Sequence, residues 1–406
     1  MKQKTIHLKK NEDLGCNYLI PYFCNVKTPV YLDYNATTPV DKHVLETMLP
    51  YFSEKFGNAS SRTHAFGWIA EDAVTNARQQ VAQLINCLAQ EIIFTSGATE
   101  AINLAIKGVW ENYQTKGKHI ITVKTEHKAV LDTCKSLEKK GAEITYLSVD
   151  REGLIDLEEL KNALTPQTIL VAVMYANNET GVIQPIRKIA DLAHGNNSIF
   201  MCDATQVTGK INCDVEEDHI DLMSMSAHKF YGPKGVGALY VRRKNPRVTL
   251  FPQIDGGGHE RGLRSGTLNV TGIVGLGKAC EIAQQEMWDD SARISKLRTK
   301  LEQHLCDLEN VFINGSTKNR LFNVTNITFQ GIRSERLLKK IPHIAISMGS
   351  ACTSAIAAPS HVLKAMGMSD EDSYSSVRFS LGKYTTAEEI NEVIETLTAV
   401  IVEMRS

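Results

Sequence analysis

The sequence predicts an α/β fold whose mostly parallel sheet is followed by a smaller α+β region. In the first two thirds of the chain, short and nearly continuous apolar runs alternate with helical patterns, which is typical of strands buried on both faces. After about residue 290, long charged helical stretches flank further strand-like runs. The predicted strands are residues 91–94, 119–123, 169–174, 199–201, 222–225, 324–329 and 377–379.

Two helices are predicted from periodicity. Residues 68–85 carry apolar side chains on one side of a helical pattern. Near the end of the chain, Thr386 and Glu389 have the spacing of a capping box, and an apolar helical face follows it from Ile390 to Ile401.

A chain of 406 residues is too long to pack around one small hydrophobic core, so we expect a large and a small domain. The predicted large domain covers residues 39–288. Residues 29–38 and 289–406 would form the small domain. Residues 1–28 are predicted to be an extension of unknown role, because their basic side chains are not followed by the apolar core of a secretory signal.

Charge and cysteine content limit the class of protein. The 45 basic and 46 acidic side chains leave a formal net charge of -1, which gives no sign of nucleic-acid binding. No apolar run approaches the roughly 20 residues of a membrane-spanning helix, so no membrane association is expected. The nine cysteines are scattered and form no C-x-x-C pair, which argues against a disulfide framework and a metal site. We therefore expect a cytoplasmic protein without a metal.

Polar side chains follow the predicted strands, where parallel α/β sheets bind their ligands. His127, Asn178, Asp203 and Lys229 each come shortly after a different apolar run. The run at residues 91–94 is followed by small residues that open a helix, and such a helix start binds phosphate. The alternative for that segment is a simple turn with a Thr or Ser N-cap. The predicted phosphate site consists of Gly97, Ala98 and Thr99.

This set of residues meets the needs of pyridoxal 5'-phosphate (PLP). That cofactor forms a Schiff base with a lysine, and a carboxylate keeps its pyridine nitrogen protonated. Lys229, Asp203 and His127 would supply the lysine, the carboxylate and a ring that stacks on the cofactor. The alternative for Lys229 is an ordinary exposed lysine.

The same stretches resemble the PLP-binding segments of class V aminotransferase-type enzymes, in the same order. Two further stretches narrow the resemblance to cysteine desulfurases of the housekeeping iron–sulfur-assembly type: one resembles a loop that reaches the neighbouring subunit's cofactor, and the other resembles a long active-site cysteine loop. The resemblance runs from about residue 30 to the end and implies the fold of PLP-dependent transferases of fold type I. The general stretches are residues 95–100, 124–127, 177–179, 203–206 and 226–235, and the specific ones are 256–267 and 347–354.

The resemblance implies a role for each site residue. Lys229 would bind the cofactor through a Schiff base, His127 would stack and move protons, and Cys352 would be the nucleophile. Arg378 and Asn178 would bind the substrate carboxylate. The remaining cofactor contacts would be Asp203 at the pyridine nitrogen, Gln206 at the phenolic oxygen, and Gly97, Ala98, Thr99, Ser226 and His228 at the phosphate, with Thr267 donated by the other subunit.

The implied reaction converts L-cysteine to L-alanine and leaves a persulfide on Cys352. The implied enzyme is a homodimer that passes sulfur to an acceptor such as an iron–sulfur scaffold protein, for iron–sulfur clusters and other sulfur-containing products. The sequence departs from the family pattern at Ala227, where relatives have Gly, and it ends at Ser406, before the tail with which relatives bind the scaffold. The alternatives are a selenocysteine lyase, a plain class V aminotransferase, and a scaffold protein that only carries sulfur.

Overall fold

The computed structural model describes residues 29–348 and 358–406. The helices of these residues are α1 (Lys42–Met48), α2 (Pro50–Ser53), α3 (Ala65–Leu84), α4 (Ala98–Tyr113), α5 (Lys128–Glu138), α6 (Leu157–Ala163), α7 (Ile186–Gly195), α8 (Val270–Cys306), α9 (Ser334–Lys340), α10 (His361–Ala365), α11 (Asp370–Tyr374) and α12 (Ala387–Arg405). The strands are β1 (Val30–Tyr31), β2 (Ile92–Thr95), β3 (His119–Val123), β4 (Glu143–Leu147), β5 (Thr168–Met174), β6 (Ile199–Asp203), β7 (Leu222–Ser226), β8 (Gly237–Val241), β9 (Val311–Ile313), β10 (Val324–Phe329), β11 (Ile344–Ala345) and β12 (Ser376–Ser380).

The central sheet has seven strands in the order β2-β8-β7-β6-β5-β3-β4. Strand β8 is antiparallel to both of its neighbours, and the other pairs are parallel. The predicted α/β class with a mostly parallel sheet is confirmed. Because every strand except β8 runs in one direction, the carboxyl ends of β2, β3, β5, β6 and β7 meet at the same edge.

Apart from the edge strand β4, the strands of this sheet are buried on both faces, because successive side chains of a strand point to opposite faces and most of them are apolar. Phe94, Val173 and Phe200 belong to the cluster on one face, which also contains apolar residues of α3 and α8. Ile120 and Leu170 belong to the cluster on the other face, together with residues of α4 and α5. The helices therefore hold the strand ends in fixed positions on both sides.

Several predicted element boundaries differ from the structure by one to three residues, and the starts of β2 and α3 have clear physical reasons. The first predicted strand begins at Ile92 rather than Glu91, because the Glu91 carboxylate accepts hydrogen bonds from the Leu88 amide (3.0 Å) and the Arg243 amide (2.8 Å). Helix α3 begins at Ala65, three residues before the predicted start, because the His64 side chain caps it.

The predicted capping box at the last helix is confirmed. The Thr386 hydroxyl accepts a hydrogen bond from the Glu389 amide (3.1 Å), and the Glu389 carboxylate accepts one from the Thr386 amide (2.9 Å). These reciprocal bonds satisfy two backbone donors that the helix itself leaves without partners, so α12 has a defined start.

A second group of strands lies beyond α8. Strands β9, β10 and β12 form an antiparallel sheet in the order β12-β10-β9, and β1 pairs in parallel with β11. Val30 and Leu32 share a third apolar cluster with residues of α8, α9, β10, β12 and α12. Helix α8 is continuous across residue 288, the predicted end of the large domain, and the domain limits stay a prediction.

The cysteines of the described residues are free thiols, and most of them are buried in the apolar clusters, among them Cys134, Cys202 and Cys280. Within residues 29–348 and 358–406, no helix has the length and apolar character that crossing a bilayer requires.

Strand β12 places Arg378 between two fully buried apolar residues, Val377 and Phe379. The Phe379 ring packs edge-on against Phe329, with 6.4 Å between the ring centroids. We expect Phe379→Ala to lower the free energy of unfolding by about 3 kcal/mol, because it leaves a cavity in this core. Denaturant titration measures the change. The control is Val402→Ala on the exposed side of α12, which should change stability by less than about 0.5 kcal/mol; equal effects of the two variants would contradict the packing described here.

Candidate active site

A cavity of about 810 Å³ opens at the edge where the carboxyl ends of the parallel strands meet. The structure brings most of the predicted site residues to its wall. They are Gly97, Ala98, Thr99, His127, Asn178, Asp203, Gln206, Ser226, His228, Lys229 and Arg378.

Lys229 lies in a short helical turn that follows β7, and it lines the cavity. Its Nζ donates hydrogen bonds to the backbone oxygens of Asn35 (2.7 Å) and Ala36 (2.8 Å). Burial, helped by the positive charge of Arg378, lowers the pKa of Lys229 to about 8 against the opposing effect of Asp203 and Asp33. A sizeable fraction of the side chain is therefore a neutral amine near neutral pH, and only that form is nucleophilic or basic.

Asp203 is the last residue of β6, and one of its carboxylate oxygens is fully engaged. Its Oδ1 accepts hydrogen bonds from Ser224 Oγ (2.9 Å), the Thr205 amide (3.0 Å) and the Thr205 hydroxyl. Within the described part of the chain, Oδ2 accepts none. The carboxylate is therefore rigidly oriented and presents its second oxygen as an acceptor for a cationic N–H group.

His127 is the N-cap of α5 and lines the cavity. Its Nδ1 accepts a hydrogen bond from the Ala129 amide at 3.1 Å. A ring nitrogen that accepts carries no proton, so this bond places the proton of the neutral ring on Nε2. The tautomer of His127 is thus set by the helix that it caps.

The predicted phosphate site lies at the N-terminus of α4, which begins directly after Gly97. Gly97 has φ +153°, a conformation that favours glycine, and a Cβ there would lie 3.6 Å from Ser226 Oγ. His228 stands nearby with Nδ1 3.1 Å from Thr37 Oγ1. Burial and three neighbouring lysines lower the pKa of His228 to about 4, so its ring is neutral and donates through one nitrogen.

Arg378 is buried at the cavity wall. Its guanidinium donates to the Asn178 backbone oxygen (2.9 Å) and to Asp33 Oδ1 (2.6 Å). Its Nε is buried and has no hydrogen-bond partner within the described residues. A fixed guanidinium with spare donor capacity suits the carboxylate of a small substrate.

Two predicted residues are not seen in this cavity. Thr267 is exposed and does not line it. It follows Arg264, whose guanidinium pairs with the Glu100 carboxylate (2.8 Å) beside the phosphate site. Cys352 lies outside the described residues. The residues on either side of its segment, Ser347 and Ala358, both line the cavity.

Three buried ionisable residues near the site were not given roles from the sequence. Glu126 and Glu179 lie within the stretches 124–127 and 177–179, which resemble the family. Their acidic side chains, shortly after predicted apolar strands, were the sequence signal that could have indicated a role. Burial raises the pKa of Glu126 well above its ordinary value; one of its oxygens accepts from the Met174 amide (2.6 Å) and the other has no partner within the described residues. Lys210 comes four residues after Gln206, and no sequence pattern marked it.

Glu179 lies at the cavity wall and accepts a hydrogen bond from Ser360 Oγ at 2.5 Å. Burial raises its pKa to about 7, although the Ser360 bond and the charge of Arg378 act in the other direction. Ser360 caps α10 and follows the segment that contains Cys352. Glu179 therefore connects the cavity wall to the downstream end of that segment.

A buried lysine, an oriented carboxylate and a neutral imidazole lie around a glycine-led helix N-terminus at the strand ends. This arrangement is that of an α/β enzyme built for a phosphate-bearing aldehyde cofactor. The chain belongs to the class-V aminotransferase family: the family description "Aminotransferase class-V" matches residues 30–393.

Close relatives agree with this assignment. The chain is 53% identical over 381 residues to "Cysteine desulfurase IscS" of Anaeromyxobacter sp. (strain Fw109-5), with 94% of each chain covered. It is 55% identical over 383 residues to the protein of the same name from Haemophilus influenzae (strain PittGG), with 94% of this chain and 95% of the relative covered. A solved structure named "NIFS-LIKE PROTEIN" superposes with a TM-score of 0.86 at 40% identity, over 92% of this chain and 100% of that one.

The cofactor of this family member is PLP. The residues present fit it. Asp203 Oδ2 can accept from a protonated ring nitrogen, the Gly97 turn leaves backbone N–H groups of α4 open to a phosphate, and the half-buried Lys229 has the lowered pKa that covalent attachment of an aldehyde requires.

The raised pKa of Glu179 predicts a pH-dependent cost in stability. Between its ordinary value near 4.5 and about 7, the folded protein keeps a proton that the unfolded chain has lost, so stability falls as pH rises through this window. Glu179→Gln should therefore be more stable than wild type by about 2 kcal/mol at pH 8 and equal to it at pH 4.5.

Denaturant titrations at both pH values measure this difference. Glu395→Gln, at an exposed position of α12, is the matched control and should show no pH-dependent change. If the difference in free energy of unfolding between wild type and Glu179→Gln is the same at both pH values, the pKa of Glu179 is not raised in the folded protein.

Proposed function

We propose that Lys229 holds PLP and that Cys352 takes sulfur from L-cysteine in the cavity described above. The chain is a PLP-dependent cysteine desulfurase that converts L-cysteine to L-alanine and supplies sulfur for iron–sulfur clusters and other products. The observation that carries the site assignment is the half-buried Lys229, which lines the same cavity as Asp203 and both ends of the Cys352 segment.

The positions of the side chains around the cavity support these proposed cofactor contacts. Asp203 would keep the pyridine nitrogen protonated, and His127 would stack on the ring. The Gly97–Ala98–Thr99 turn, Ser226 and His228 would hold the phosphate, while Gln206 would donate to the phenolic oxygen. When bound, PLP supplies an electron-accepting ring that stabilises the charge left when an amino acid loses its Cα proton.

The protein's own side chains perform the remaining steps. Arg378 and Asn178 orient the substrate carboxylate, and the neutral amine of Lys229 takes the Cα proton. The Cys352 thiolate attacks the substrate sulfur, so that an S–S bond forms while the Cβ–S bond breaks. The electron pair left at Cβ takes a proton, and the protonated Lys229 amine returns a proton to Cα, which gives alanine and a persulfide on Cys352.

Chain connectivity supports the role of Cys352. Ser347 pairs with Arg378 through two backbone hydrogen bonds, of 2.8 and 3.3 Å. Cys352 comes five residues later, and an extended chain covers at most about 3.6 Å per residue. Cys352 therefore belongs to a segment whose described ends, Ser347 and Ala358, both line the cavity of the proposed substrate-binding arginine.

We further propose a homodimer in which Thr267 of each subunit completes the partner's phosphate site. Thr267 is exposed and stands outside the cavity of its own chain. Large apolar side chains that helices and loops near the N-terminus leave exposed would form the interface, since monomeric proteins rarely expose such patches. They are Leu45, Leu49, Phe52, Phe56, Phe66, Trp68 and Ile69.

The acceptor and the location are parts of the same proposal. The enzyme passes its persulfide sulfur to an acceptor such as an iron–sulfur scaffold protein, and it does so in the cytoplasm, where free thiols persist. The large domain, residues 39–288, would carry PLP, and the small domain, residues 29–38 and 289–406, would carry Cys352.

The nucleophile is tested by Cys352→Ala. This variant should keep the visible absorption of the bound cofactor, because the PLP contacts are intact, and it should lose at least about 100-fold in alanine and sulfide production. Cys306→Ala, a half-buried cysteine on α8, should retain wild-type rates.

Lys229→Ala provides the second comparison and should lose the visible absorption. Borohydride reduction and peptide mapping of wild type should mark Lys229. Normal turnover of the Cys352→Ala enzyme would instead favour a plain aminotransferase.

Shared sites predict complementation between two inactive variants. Lys229→Ala and Thr267→Ala subunits, mixed and allowed to exchange, should form heterodimers with one site that carries both defects and one that is intact. At limiting PLP, such heterodimers should recover about half of the wild-type activity per dimer. Light scattering that gives a monomer at micromolar concentration, or a mixture no more active than the sum of its parents, would contradict the dimer.

A further inference from the structure

Lys210 is a second buried lysine beside the site, and the mechanism above does not use it. It is only 8% exposed. Its Nζ donates to Gln206 Oε1 (3.0 Å) and, more weakly, to Asn35 Oδ1 (3.4 Å). Within the described residues, no carboxylate lies within ion-pair distance of it. Burial of a cation without a paired anion lowers the stability of the folded protein. We therefore expect Lys210 to have a function at this position.

Lys210 and Asn35 together set the orientation of the Gln206 amide. A lysine ammonium can only donate and a backbone carbonyl can only accept. Lys210 therefore requires the oxygen of the amide at one end, and the Asn35 carbonyl, which accepts from Gln206 Nε2 at 3.0 Å, requires the nitrogen at the other. One hydrogen of Nε2 remains, and Gln206 lines the cavity.

We propose that Lys210 is a positioning residue that acts through Gln206 on the phenolic oxygen of PLP. This inference rests on the proposed role of Gln206. Donation to Oε1 polarises the amide and strengthens its remaining N–H as a donor. The phenolic oxygen would share a proton with the Lys229 nitrogen. A stronger donor at that oxygen, together with a nearby positive charge, would lower the pKa of this proton.

The charges around Lys210 agree with this direction. Burial, Lys229 and Arg378 lower the pKa of Lys210 to about 7, and Lys210 in turn contributes to the lowered pKa of His228. A cavity of about 40 Å³ adjoins Lys210 and has room for water to solvate the ammonium. The other ionisable groups of that cavity are Tyr34, Asp41, Tyr231, Glu286, Asp290 and Lys383.

The test is a pH titration of the visible absorption of the holoenzyme, which follows the proton at the Lys229–cofactor linkage. We expect Lys210→Met to raise the midpoint by about one pH unit, because it removes the donor to Gln206 Oε1 and, below about pH 7 where Lys210 is protonated, a nearby like charge. Lys210→Gln, which keeps a donor and loses the charge, should shift it by less. If Lys210→Met does not fold, Lys210→Gln alone tests the role of Lys210. Lys188→Met, at an exposed position of α7, is the control and should not shift it.

Gln206→Leu separates this inference from the proposed function. If Gln206→Leu raises the midpoint and neither Lys210 variant does, the role of Gln206 stands and that of Lys210 is overturned. If none of the three variants shifts the midpoint, the assignment of Gln206 fails and the inference fails with it. In the double variant Lys210→Met/Gln206→Leu, the shift should be smaller than the sum of the single shifts.

The cofactor-free protein offers a readout that does not depend on PLP. Between pH 7 and about 10, the unfolded chain binds a proton that folded Lys210 has lost, so stability should rise with pH in that window. The rise of the denaturation midpoint with pH should be smaller in Lys210→Met than in wild type. In Lys188→Met this rise should equal that of wild type. An identical rise in Lys210→Met would overturn the premise that a buried charge at Lys210 is disfavoured.

Discussion

The arrangement of the site depends on Asn35, whose hydrogen bonds join it to the segments that contain Lys229, Gln206 with Lys210, Asn323 and Asn178. Its backbone oxygen accepts hydrogen bonds from Lys229 and Gln206, and its side-chain oxygen accepts from Lys210 and Asn323. Its amide group donates to the Asn178 backbone oxygen (3.2 Å). Because a carbonyl or amide oxygen accepts two hydrogen bonds without carrying a charge, Asn35 brings two lysines together where a carboxylate would neutralise them.

This choice of neutral acceptors explains the electrostatics of the cavity. With carbonyl partners rather than carboxylates, burial lowers the pKa of Lys229 to about 8 and that of Lys210 to about 7. An ion pair with each would have held both lysines protonated. The available carboxylates are engaged elsewhere: Asp33 pairs with Arg378, and Asp203 Oδ1 is saturated by Ser224 and Thr205.

The strand-end residues of the site were predictable from the sequence, and the residues that support them were not. His127, Asp203 and Lys229 follow long buried strands, whose apolar runs are visible without a structure. Asn35 follows the two-residue strand β1 and meets Lys229 across 194 positions of sequence, so no local pattern marks it. Strand β4 was missed because its side chains are mostly half-exposed, whereas β8 was not predicted although it is fully buried.

The substrate site and the Cys352 segment share their supports. Upstream, Ser347 pairs with the backbone of Arg378, the residue that we propose binds the substrate carboxylate. Downstream, Ser360 donates to Glu179, the neighbour of Asn178. Sulfur transfer needs the thiol and the substrate sulfur within bonding distance, and a fixed frame lowers the entropic cost of that approach. Because both ends of the segment rest on residues of the substrate wall, a displacement of Arg378 or Glu179 would move the nucleophile's supports together with the substrate.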